Sequence, residues 1–178
     1  MAARLFALAR AAVVSVVFVS LWTWFAPRWI AFDRHVAVAP KLTLPAAILM
    51  AIGAAIMLRC IWDFAWTGRG TPAPFDPPRA LVVRGLYRWV RNPMYVGMGI
   101  FLTGEALALE PITRQMLILI AVLWATVTLF ILIYEEPTLR RLFGDDYRDY
   151  CRHVRRWLPR LTPFDKTRAA AAGSPHLE

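Results

Sequence analysis

Residues 115–137 read QMLILIAVLWATVTLFILIYEEP. A run of twenty residues without a charge ends in two adjacent carboxylates and a proline. As a helix, twenty residues reach about 30 Å, the thickness of a bilayer's hydrocarbon core. This run is read as a membrane span, and it decides the fold. Composition agrees with it. The 178 residues are 58% hydrophobic and 19% charged, with eight tryptophans, and mean hydropathy is +0.47. Soluble domains lie nearer to about 45–50% apolar and about 25% charged. So short a chain leaves too much surface exposed to hide the excess. Disorder is excluded, the composition disfavours a soluble globule, and the length favours one compact membrane unit over two large domains.

Upstream, Pro93 to Gly104 with Ala106 to Leu109 forms a shorter apolar segment, about 24 Å as a helix. Glu110-Pro111 then turns the chain, so this segment and the 115–134 span form a helical hairpin. Leu42 to Leu58 is a second uncharged run, continuing to Arg59 and Asp63, which share a helix face four residues apart and can pair. Ala11 to Pro27 is the first run. It ends in Trp22, Trp24 and Phe25, and the one small-x-small site, Ala37-Val38-Ala39, is followed by Pro40. It is read as a retained span with an aromatic belt, not a cleaved signal.

Four spans put the N-terminus, the Gly/Pro-rich loop of 67–91 and the C-terminal tail on one side. Sixteen Lys and Arg lie there against four on the other, which makes that side cytoplasmic, in a bacterial inner membrane. Beyond Pro137, Leu139, Leu142 and Phe143 recur at helical spacing up to Gly144. Tyr147, Tyr150, Cys151, Val154 and Trp157 then do the same among arginines, up to Pro159. This predicts basic amphipathic helices on the membrane surface. The expected fold is all-α and integral to the membrane: about four transmembrane helices, the last two a hairpin, plus C-terminal amphipathic interfacial helices. Three regions follow: N-terminal transmembrane helices over 1–66, a core over 67–160, and a disordered tail over 161–178.

The net charge of +9 fits anionic headgroups better than nucleic acid, since no recognition motif accompanies it. Cys60 and Cys151 make no disulfide framework. They form no metal site with the scattered His35, His153 and His176 either. No obligate protein partner is inferred.

Two clusters carry chemistry. The first is RGLYRWVRNPMYVGMG, residues 84–99. Pro93 fixes the entry to the third helix, and Gly97 and Gly104 share a face that a helix or a ligand can approach closely. The second is Glu135-Glu136 with the tyrosines behind it. The hairpin brings both to the cytoplasmic side, where they are expected to wall one cavity. Glu105 is a further buried-acid candidate. A cationic amphipathic cofactor suits such a place. Carboxylates take hydroxyls or an amino group, and aromatic rings favour a sulfonium and an adenine.

Residues 84–97, together with the Glu-Glu-Pro-x-Leu-x-x-x-Phe-Gly-x-x-Tyr-x-x-Tyr pattern of 135–150, resemble the isoprenylcysteine carboxyl methyltransferase and phospholipid N-methyltransferase superfamily. The resemblance covers roughly residues 67–160, with both blocks in order around a hairpin. It implies an integral-membrane enzyme that transfers a methyl group from S-adenosylmethionine to a lipophilic acceptor. Carried over by motif, Asn92, Pro93, Tyr95, Gly97, Gly99, Glu135, Glu136, Tyr147 and Tyr150 are expected in the cofactor pocket. Arg91, Arg156 and Glu135 are the expected catalytic residues: the arginines orient an anionic head, and Glu135 takes a proton from an amine acceptor. The isoprenylcysteine branch usually has His where this chain has Asn92. Asparagine hydrogen-bonds but does not titrate near neutral pH. Competing expectations are methylation of a phospholipid amine, an NADPH-dependent membrane reductase, and a non-catalytic membrane scaffold.

Overall fold

The computed structural model describes residues 20–33, 41–63 and 80–165, and helix is the only regular secondary structure among them. A π-helical turn, Leu21–Phe25, leads into α1 (Ala26–Asp33), and α2 follows at Leu44–Asp63. After a 3-10 turn at Gly85–Arg88 come α3 (Pro93–Ala108), a 3-10 turn at Glu110–Ile112, and α4 (Thr113–Phe130). A second π-helical turn, Ile131–Glu135, joins α4 to α5 (Glu136–His153).

Two helical stretches are long and apolar enough to cross a membrane: Leu44–Asp63 and the continuous helix within Glu110–His153. The sixteen residues of α3 reach only about 24 Å. Most of the expected first span, 11–19, lies outside the described residues, as do 67–79 of the basic loop and 166–178 of the tail. The described end of that span exposes Trp24 and Phe25, and its helical continuation to Asp33 exposes Trp29 and Phe32, side chains suited to a headgroup boundary.

The tightest packing is α2 against α3, and absent side chains make it possible. A Cβ on Gly53 would lie 2.5 Å from the Gly97 carbonyl and the Phe101 nitrogen. One on Gly97 would lie 2.7 Å from Ile56 Cγ2, and one on Gly104 2.8 Å from the Ala46 carbonyl. The seven-residue spacing of Gly97 and Gly104 therefore serves a helix. In hydrocarbon, where apolar burial gives helices little reason to associate, such backbone approach supplies the contact.

The hairpin forms as expected. The Thr113 hydroxyl donates to the carbonyls of Ala106 (2.9 Å) and Leu109 (3.2 Å), closing the turn. Ala106, Leu109, Ile112 and Met116 make a buried cluster there, with Ile30 against it. The Lys41 amide donates to the Ala108 carbonyl at 2.8 Å, so α2 starts at this same end.

The C-terminal region departs from expectation in three ways. The helix does not restart at Pro137; it runs on from α4, and the π-helical turn before Pro137 absorbs the missing N–H and the ring clash. Gly144 does break the path, at φ 52 and ψ −124. The following helix stops at His153, not near Pro159, because Val154 turns extended at φ −116 and ψ 125. Beyond it the backbone bonds elsewhere. Arg91 N donates to Arg155 O at 2.9 Å, Arg160 N to Trp89 O at 2.9 Å, and Phe164 N to Arg88 O at 2.8 Å. The expected tail therefore begins later than 161, since Phe164 is buried with Tyr147, Tyr150 and Val154. The apolar face of α5 packs on the chain's own Leu81, Val83 and Phe164, so protein covers it.

Candidate active site

The Arg84–Pro93 stretch is fixed from both sides. Arg59 and Asp63 pair at 3.2 Å at the end of α2, as their spacing predicts. Asp63 is buried beneath Gly85, whose φ of +54 favours glycine. A Cβ there would lie 2.1 Å from Asp63 Oδ2. From the other side, the Tyr150 hydroxyl donates to the Tyr87 carbonyl at 2.6 Å. Burial pushes the Tyr87 hydroxyl pKa well up, so it remains a neutral group.

The turn delivers Arg91 to Glu136, the most heavily engaged carboxylate among the described residues. Arg91 Nη1 donates to Oε1 at 3.0 Å. Arg156 Nε donates to Oε1 at 2.8 Å and its Nη2 to Oε2 at 3.1 Å, a two-pronged grip that suits a guanidinium. Arg140 Nη2 stands 3.6 Å from Oε2. Arg91 Nη1 also donates to Cys151 Sγ at 2.8 Å. Hydrogen bonding to Glu136 raises the Arg156 pKa further. One buried carboxylate thus faces three cations and accepts three hydrogen bonds, two at Oε1 and one at Oε2. Glu136 organises arginines, and the cluster keeps a surplus of positive charge. Arg91 Nε is buried with no hydrogen-bond partner among the described residues.

Glu135 is placed differently. It accepts the Tyr95 hydroxyl at 3.3 Å and stays partly exposed. Asn92 caps the start of α3 by position, but its side chain makes no cap bond. Its amide nitrogen donates instead to the Arg156 carbonyl at 3.4 Å, tying α3 to the C-terminal segment. Pro93 opens α3, where a missing N–H does least harm.

The structure thus brings Arg91, Asn92, Pro93, Tyr95, Glu135, Glu136 and Arg156 to one end of the bundle. Four other expected residues have different surroundings. Gly97 faces Ile56 of α2, and Gly99 faces Trp124 of α4, at 2.8 Å from a Cβ. The close approach at both glycines is made by protein. Tyr147 and Tyr150 are buried, with ring centroids 6.2 Å apart, inside the cluster that holds Phe164; they brace the site from behind. Residue patterns missed Arg140, Cys151 and Trp157. For Arg140 a signal existed: it lies four residues after Glu136 on the same helix face. The others depend on a return of the chain that no local spacing encodes. Glu105 is buried as expected, with no partner for Oε2 among the described residues. An apolar cleft of about 550 Å³ is lined by Leu21, Trp22, Phe25, Trp29 and Leu119 among others; none of the expected site residues borders it. Among the described residues no group of His, Cys, Asp and Glu is arranged to hold a metal.

No curated protein and no solved structure matches this chain. A family model described as phospholipid methyltransferase matches residues 42–146, well over half of the chain. The matched stretch runs from the start of α2, through the Arg84–Gly99 block and the hairpin, past Glu135-Glu136 and into α5. This chain belongs to the phospholipid methyltransferase family, within the class of membrane methyltransferases that includes the isoprenylcysteine enzymes.

Proposed function

We propose that the protein transfers a methyl group from S-adenosylmethionine to a lipophilic acceptor at the cytoplasmic end of the bundle. The acceptor is of the isoprenylcysteine type, with a carboxylate head. One observation carries this reading. A partly exposed carboxylate, Glu135 beside Tyr95, stands next to an arginine cluster of surplus positive charge, at the end of the hairpin.

The donor set fits the cofactor. Glu135 can accept ribose hydroxyls or an ammonium group, the Tyr95 hydroxyl and the Asn92 amide oxygen add polar partners, and the orphaned Arg91 Nε suits a carboxylate end. When bound, S-adenosylmethionine supplies an electrophilic methyl group on a sulfonium. The chain's own part is positioning and the exclusion of water. Arg91 and Arg156, held by Glu136, orient the acceptor's anionic head. A carboxylate acceptor gains an O–CH3 bond as the S–CH3 bond breaks, and no proton moves. Gly97, Tyr147 and Tyr150 enter this reading as packing residues, and Gly99 as the seat of the Trp124 indole, none of them as a contact of the cofactor.

A second reading is methylation of a phospholipid amine, favoured by the family match itself. Its nucleophile must lose a proton, and Glu135 is the acceptor within reach of the cluster.

Both are tested on purified protein in detergent, with radiolabelled methyl donor and lipid extract. Label lost in mild base marks an ester, and label retained marks an amine. Donor binding that Glu135→Ala weakens supports the site. Absence of donor binding in several detergents overturns it.

A further inference from the structure

Gly99 marks where the reacting end continues into the bilayer. A Cβ there would lie 2.8 Å from Trp124 Cζ3 and 3.4 Å from Cε3, so α3 offers bare backbone to an indole of α4. Trp124 in turn lies against Trp157, with centroids 4.6 Å apart and planes inclined at 42°. Trp157 directly follows Arg156, whose guanidinium grips Glu136. Charged cluster and aromatic pair are therefore one covalent step apart. Along the helix, Trp124 precedes Glu136 by twelve residues, or about 18 Å. Both indoles are only partly buried, and Leu117, two helical turns before Trp124 on the same face of α4, is exposed. An apolar surface thus starts at the arginines and runs inward along the span.

A glycine inside a helix weakens it relative to alanine. At Gly99 the missing side chain leaves room for an indole on the face away from α2. The opposite face, through Gly97 and Gly104, already serves helix packing.

We propose that Gly99, Trp124 and Trp157 form the ledge along which the acceptor's apolar chain lies while its polar head sits at the Arg91–Glu136–Arg156 cluster. The three are specificity-determining residues that read chain length. This rests on the methyltransferase reading and names the part of the acceptor that the reading leaves open. A headgroup alone, or a head carrying a short chain, does not reach the pair.

The test uses the full-length protein in lipid nanodiscs. One arm offers S-alkyl-N-acetylcysteines from butyl to hexadecyl. The other offers phosphatidylethanolamines from dihexanoyl to dioleoyl. In the arm that is methylated, kcat/KM at a fixed mole fraction of acceptor in the bilayer should rise with chain length until the chain passes the aromatic pair, and then level off. Trp124→Ala, Trp157→Ala and Gly99→Ala should flatten that slope, and Trp157→Phe should restore part of it, with methyl-donor Kd as in the wild type. Equal loss at every chain length, or loss of donor affinity, overturns the ledge. Quenching of tryptophan fluorescence by the same alkyl cysteines brominated along the chain separates the two readings. If no acceptor is methylated but quenching occurs and falls in Trp157→Phe, the ledge stands and the catalytic reading fails. Quenching unchanged by Trp157→Phe or Trp124→Phe sinks the ledge whatever the activity.

Discussion

The α2–α3 contact and the cluster around Glu136 join segments by opposite means. Between α2 and α3, Gly53, Gly97 and Gly104 remove side chains so that backbones touch. Around Glu136, three long arginines reach across from 45, 20 and four residues away to one carboxylate. The first contact lies among membrane helices, where a polar group would lack partners and shape is what holds. The second lies at the bundle's end, where charge can be paired. Rigid apolar packing therefore sets the frame, and an ionic knot ties the C-terminal segment to it, beside the proposed site.

The largest expected effect tests the knot. Glu136→Ala leaves Arg91 and Arg156 buried or half-buried without their counter-charge, which should cost about 3–5 kcal/mol and lower the unfolding midpoint in detergent markedly. A midpoint near that of the wild type would mean the arginines find water or lipid phosphate instead. Gly53→Ala comes next. Its Cβ meets backbone at 2.5 Å, and overpacking of this kind costs about 1–3 kcal/mol. Gly97→Ala should cost somewhat less, because its Cβ meets backbone only at 3.1 Å, the Gly53 carbonyl, besides Ile56 Cγ2 and Cβ at 2.7 and 2.9 Å. The reverse order in thermal melts would break the picture of backbone against backbone. Tyr95→Phe removes one hydrogen bond from Glu135, worth about 1 kcal/mol, and should weaken methyl-donor binding about fivefold in a titration. The smallest effect sharpens the boundary of the knot. Arg140 is half-exposed and 3.6 Å away, so Arg140→Gln should change stability by less than about 0.5 kcal/mol.

The two regions also differ in how far residue patterns disclose them. Gly97 and Gly104, seven apart, announce a face open to close approach, and Arg59 and Asp63 announce their pair. Both are local facts of helix geometry. The role of Glu136 is not local. As one half of a Glu-Glu pair it reads like its neighbour, yet it is enclosed by arginines while Glu135 stays partly open beside Tyr95. Consecutive helix positions point about 100° apart, and only the path of the returning C-terminal segment decides which one the arginines cover. The same path explains why Tyr147 and Tyr150, apt by composition for stacking a cofactor, are enclosed by Phe164 and Val154.

By itself the sequence determined the membrane class, the hairpin, the break at Gly144 and the two blocks that carry the family resemblance. Each depends on hydrophobic run length, on proline or glycine, or on residues close in the chain. Tertiary structure alone decided that residues 154–164 leave the helix to bond with 88–91. From that followed the arginine clamp, the burial of Phe164 and the meeting of Trp124 with Trp157. These contacts join segments tens of residues apart. Backbone amides and carbonyls that leave a helix must find new partners, and Arg155, Arg160 and Phe164 find those that the packed bundle brings near.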